Sequence, residues 1–207
     1  MGGSIYRVFL FIYTLIRISF YFWGYLLRGA VLYSFIPATL SLIEVSKHVL
    51  DKHEDKELNE YYSESYDSYK KYRMLSFIVV VIGIILYVLL FFVNRFESAY
   101  SVAMIIVLFY FGVLLAIILS YLFHYLIFYV EQIRSGVALA FVSTIKHPVQ
   151  TFYILLSVIV IYLLFAWNLV AFIALGPCLY GFLMVIIFNR FKTPILLNKE
   201  KRKLTSE

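Results

Sequence analysis

Between Leu75 and Val93 the chain runs for 19 residues without one charged side chain. A helix rises about 1.5 Å per residue, so about 20 apolar residues cross the roughly 30 Å hydrocarbon layer of a bilayer. Lipid offers the backbone no hydrogen bonds, and a helix pairs its polar groups within the segment. Comparable runs occur at 26–46, 99–123, 149–167 and 170–188. The expectation is an all-α fold: a polytopic transmembrane helical bundle of about five spans, one membrane domain over residues 1–207. Only 14% of residues are charged, against about a quarter in soluble chains, so no separate soluble domain is expected.

Residues 4–25 read differently. Arg7, Thr14, Arg17, Tyr21, Tyr25 and Arg28 recur at helical spacing and make a polar stripe in an apolar stretch. An arginine at mid-bilayer costs roughly 2.5–3.5 kcal/mol, so this segment reads as an amphipathic helix lying in the membrane interface. The alternative is a spanning helix whose stripe faces a bundle. Arg17 interrupts the apolar run and no small-residue cleavage site follows, which argues against a signal peptide. Tyr6 occupies the position where myristoylation requires Ser or Thr.

The longest polar stretch, 47–74, mixes both charges. Tyr62, Tyr66, Tyr69 and Arg73 step by four, three and four, an aromatic stripe that reads as a face for a partner or for the membrane surface. Asp67 and Lys71 have the spacing of a helical ion pair. Segments 124–148 and 189–207 are the other polar stretches. Counting Lys and Arg puts 14 on the side of 47–74, 124–148 and the tail, and four on the other. Basic loops stay in the cytoplasm. Five spans then leave the N-terminus outside and the C-terminus inside; a sixth span would bring the N-terminus inside as well.

Sliding the chain by 75 residues aligns Tyr66 with Phe141, Ser68 with Ser143, Lys71 with Lys146, Phe77 with Phe152 and Tyr87 with Tyr162. Each half then reads as polar helix, span, tight turn, span: a parallel two-fold internal repeat of the kind found in transport proteins.

The chemistry-bearing residues are sparse. One cysteine, Cys178, excludes an internal disulfide. His48, His53, His124 and His147 show no zinc-ligand spacing. No phosphate-cradling glycine loop occurs. No catalytic, metal or cofactor site is expected, and the chain reads as a non-enzyme. The net charge of +6 reads as membrane sidedness, not nucleic-acid binding. Glu44, Arg28, Glu131 and Arg134 sit at span edges, where charged side chains snorkel to water; Glu131 and Arg134 read as a pair.

Gly29 to Leu42 reads GAVLYSFIPATLSL, with Trp23-Gly24 before it and Tyr66-x-x-Tyr69-Lys70-Lys71 after it. Together with a His-Pro leading into the fourth span, this resembles the YesL-like family of small bacterial membrane proteins. In that family an Asn often precedes the Trp; here Phe22 stands there. The resemblance implies an accessory role in carbohydrate (oligosaccharide) uptake in the bacterial plasma membrane, beside the permease subunits of an ABC importer. It carries over no catalytic residue. Pro37, Ala38 and Thr39 transfer as a motif whose expected role is a structural kink in the first span. An autonomous small-solute transporter or channel, and a membrane scaffold or sensor partner acting through 47–74, are the alternatives.

Overall fold

The computed structural model describes residues 2–51, 58–95, 99–129 and 132–190. Within them the chain is helical, with no strand. The helices are α1 (Gly2–Arg28), α2 (Phe35–Leu50), α3 (Leu58–Tyr69), α4 (Arg73–Val93), α5 (Ala99–Phe128), α6 (Ile133–Lys146), α7 (Pro148–Trp167) and α8 (Leu169–Arg190). A single 3-10 turn, Lys70–Tyr72, joins α3 to α4. Four helices are long and apolar enough to cross a membrane: α4 with α3 leading into it, α5, α7 and α8.

Local chemistry sets several boundaries. Pro148 opens α7, where its missing N–H would have no intrahelical partner anyway. Asn168 makes the α7–α8 turn: its Oδ1 accepts from the N–H of Val170 at 2.9 Å and of Ala171 at 3.1 Å, an N-cap. The 3-10 turn, with about three residues per turn, changes the expected ion pair. Asp67 meets Lys70 at 2.5 Å, three residues on, instead of Lys71.

The expected span 26–46 is not one helix. Residues 29–34 form a turn between α1 and α2, and α2 is 16 residues long, short of a crossing. Ala30 (φ 53°) and Val31 (φ 61°) lie in the left-handed region, which a β-branched residue rarely enters. Pro37 therefore kinks nothing. It stands in the first turn of α2, where a helix tolerates proline because its N–H has no partner to lose.

Pro177, in contrast, lies inside α8. Its absent N–H frees the carbonyl of Ile173, four residues back. Trp23 Nε1–H of α1 donates to that carbonyl at 2.9 Å. One residue on, the Cys178 N–H donates to Ser19 Oγ at 3.3 Å. These contacts fix α1 antiparallel to α8. Of the polar stripe of α1, Tyr25 stacks on Tyr62 of α3 with centroids 5.0 Å apart and Tyr21 meets the same ring at 6.1 Å. That part of the stripe faces the bundle. Tyr6, Phe9, Tyr13, Phe20 and Leu27 are exposed.

The packed core sits where α1, α2, α3, the end of α5 and α8 meet. Ile36, Leu40 and Ile43 of α2 pack with Ile117 and Tyr121 of α5 and Met184 of α8. Ile18, Phe22 and Leu26 of α1 pack with Leu42, Val45, Tyr62 and Phe182. Gly181 brings α8 close to α2: a Cβ there would collide with the Ser46 hydroxyl and lie 3.3 Å from Leu42 Cγ. Away from this core α4, α5 and α7 remain bare, with Tyr87, Phe109 and Tyr162 each about two-thirds exposed. Apolar surface on that scale is far beyond what water tolerates on a monomer; lipid is the solvent that fits it.

The order of elements repeats. Leu58 and Ile133 open α3 and α6, and Arg73 and Pro148 open α4 and α7, each pair 75 residues apart.

Candidate functional site

The aromatic stripe is built into the fold. Tyr62, Tyr66 and Tyr69 are buried against α1 and α2, so the face expected to receive a partner is filled by the chain's own helices; Arg73 alone of that set stays exposed. The stripe was visible because it has helical period. Its occupant was not, because α1 and α2 lie 20–40 residues away in sequence. The Tyr62 hydroxyl donates to the Ala38 carbonyl at 3.0 Å. Tyr66 and Ser34 share a hydrogen bond of 2.6 Å. Small Ala38, itself fully buried, leaves room for the Tyr62 ring. In the same motif Thr39 Oγ1 donates to the Phe35 carbonyl at 2.7 Å. The Pro-Ala-Thr triplet thus starts a helix and seats α3 on it.

The Tyr62 phenol is a donor and stays protonated. Burial pushes Tyr62 well above the usual tyrosine range, with the neighbouring Tyr25 and Tyr66 adding. Burial raises Tyr69 as well, reinforced by the Glu44 charge and by its hydrogen bond to Glu44. Tyr61 is raised by burial first and then by Glu44 and Glu64.

Glu44 does not snorkel. Its carboxylate accepts from Ser65 Oγ and from the Tyr69 hydroxyl. It lines an open cleft of about 320 Å³ with Lys47, His48, Asp51, Tyr61, Ile127 and Phe128. His48 stacks on Tyr61 with centroids 4.3 Å apart, and Lys47 Nζ lies 4.5 Å from the Phe128 centroid. The cleft joins the last two turns of α2 and Tyr61 of α3 to the far end of α5, so it combines two carboxylates, one ammonium, one imidazole and two aromatic faces at the end of the bundle. That set suits a small polar ligand. Among the described residues no cluster has the composition of a metal site.

His124, on the other side of Phe128, stacks on Phe188 with centroids 3.8 Å apart and lines a void of about 10 Å³. Cys178 is buried. Glu131, expected to pair with Arg134, lies outside the described residues, as do the tail cations from Lys192 on.

No curated protein and no solved structure matches the chain. Residues 15–90, from the middle of α1 through most of α4, are similar to an uncharacterised domain family described as "Protein of unknown function, DUF624".

Proposed function

We propose that this protein is a non-enzymatic accessory component of carbohydrate uptake, of the YesL-like kind, working beside the permease of an ABC importer in the bacterial plasma membrane. The observation that carries an accessory role is the uneven packing. One end of the bundle is dense and hydrogen-bonded, while α4, α5 and α7 offer long apolar faces that lipid or another membrane helix can cover. The carbohydrate link rests on the resemblance at Trp23-Gly24 and Gly29 to Leu42. On this reading four helices cross, the cationic excess of 47–74, α6 and the tail marks their side as the cytoplasm, and both termini lie there, with α1 packed along α8 through its bonds at Ile173 and Cys178. Purification of the chain from its native membrane in mild detergent tests the reading: importer subunits co-purify in fixed ratio. Their absence from every preparation overturns it.

The matching starts of α3–α4 and α6–α7 favour a second reading, an autonomous transporter. It requires flux of a small solute into vesicles containing this chain alone; vesicles that stay impermeable to a broad solute panel remove it.

A further inference from the structure

Arg28 ends α1 and Arg73 opens α4; both are exposed, and both lie close enough to Asp67 to act on its carboxyl. The fold brings them to one surface. Ser76 Oγ donates to the Leu32 carbonyl at 2.8 Å and accepts from the Ile36 N–H at 3.3 Å. With the Ser34–Tyr66 bond, this ties the turn after Arg28 to the junction of α3 and α4. Arg28 leans over the Tyr25 ring at 6.0 Å. The carboxylate of the patch, Asp67, is held by Lys70. The hydrogen bond from Lys70 draws its carboxyl below the usual range, and the charges of Lys70, Arg28 and Arg73 add to that. No ion pair neutralises Arg28 or Arg73 among the described residues.

Apolar side chains continue the surface toward the bare flank of α4. Met74 is 73% exposed, and Tyr33 stacks on Phe77 with centroids 5.5 Å apart. Two guanidinium groups above an exposed aromatic and aliphatic wall, at the foot of an apolar crossing, match one kind of occupant: a phosphate headgroup with acyl chains below it. A free phosphate would use the cations and leave the wall bare.

We propose that the α1–α3–α4 junction binds the headgroup of an anionic phospholipid through Arg28 and Arg73, its acyl chain lying along Tyr33, Met74 and Phe77. Guanidinium groups take phosphate oxygens bidentately. This rests on α4 crossing the membrane and is independent of any importer.

The test uses the full chain in nanodiscs of phosphatidylcholine containing a graded fraction of phosphatidylglycerol, with bound lipid counted by native mass spectrometry. The wild type retains phosphatidylglycerol in preference. The double variant R28Q/R73Q loses that preference at least tenfold, whereas a control with the same charge change elsewhere, R134Q/K146Q, keeps it. The variant R73K keeps most of the retention, which separates lost charge from lost fold. Equal loss in both double variants, or none in either, overturns the proposal. So does a wild type that ignores phosphatidylglycerol but binds soluble polyglutamate, since that would mark an acidic protein as the occupant.

Discussion

The indole of Trp23 donates to the Ile173 carbonyl at 2.9 Å, the acceptor that Pro177 leaves without its backbone donor. A proline inside a helix that meets no water needs such a substitute, and here it comes from a helix 150 residues earlier. Replacing Trp23 with Phe keeps much of the packing and removes the donor, so it should cost about 1–3 kcal/mol. In a Pro177→Ala background the restored N–H can take the carbonyl, and the cost of W23F should shrink. Thermal unfolding in detergent of the four members of that cycle measures the coupling; strictly additive losses would show that Trp23 serves only by packing.

The contact between α2 and α8 turns on Gly181. Gly181→Ala should destabilise by about 1–3 kcal/mol, because the new methyl meets Ser46 and Leu42 and overpacking is costly. Gly83→Ala and Gly112→Ala, with nothing within 4 Å, should be neutral or gain up to about 1 kcal/mol from helix propensity. Parallel unfolding curves check the contrast.

Val31 holds a backbone conformation that costs an L-residue roughly 1–2 kcal/mol and is 39% exposed. Val31→Gly should raise the unfolding midpoint, the relief of strain exceeding the lost side-chain contacts by about 1 kcal/mol. A lower midpoint would mean that the side chain holds the turn.

Alkaline pH should release α3. Tyr62 and Tyr69 have raised folded-state pKa values, so the stability they contribute is complete below the ordinary tyrosine value of about 10 and falls as pH climbs beyond it. Tyrosinate absorbance should show a buried fraction ionising only together with loss of helix signal. Y62F should lower stability by about 1 kcal/mol at neutral pH and shift that alkaline transition.

Much of the membrane layer was legible in the sequence. The apolar runs at 75–93, 149–167 and 170–188 lie within two residues of α4, α7 and α8 at each end, because run length in an apolar stretch leaves little freedom. The α1–α2 turn was not legible. Residues 29–34 carry no charge, and the two left-handed positions are Ala30 and Val31, where turn chemistry would place Gly or Asn. Reading through them produced the span 26–46 and gave Pro37 a kink it does not make. The tyrosine stripe had a clear period and no visible partner. The cleft was hidden for a related reason: it joins Lys47 and His48 to Ile127 and Phe128, and composition reports nothing about which distant helices touch.

The most direct test of the four-crossing architecture is labelling of single cysteines, in a Cys178→Ser background, with a membrane-impermeant maleimide on intact cells and on inverted vesicles. Cysteines at positions 3, 63 and 200 should react only in inverted vesicles, and those at 95 and 168 only on intact cells. Position 3 reacting from the opposite side to position 200 would contradict the account and restore an odd number of crossings.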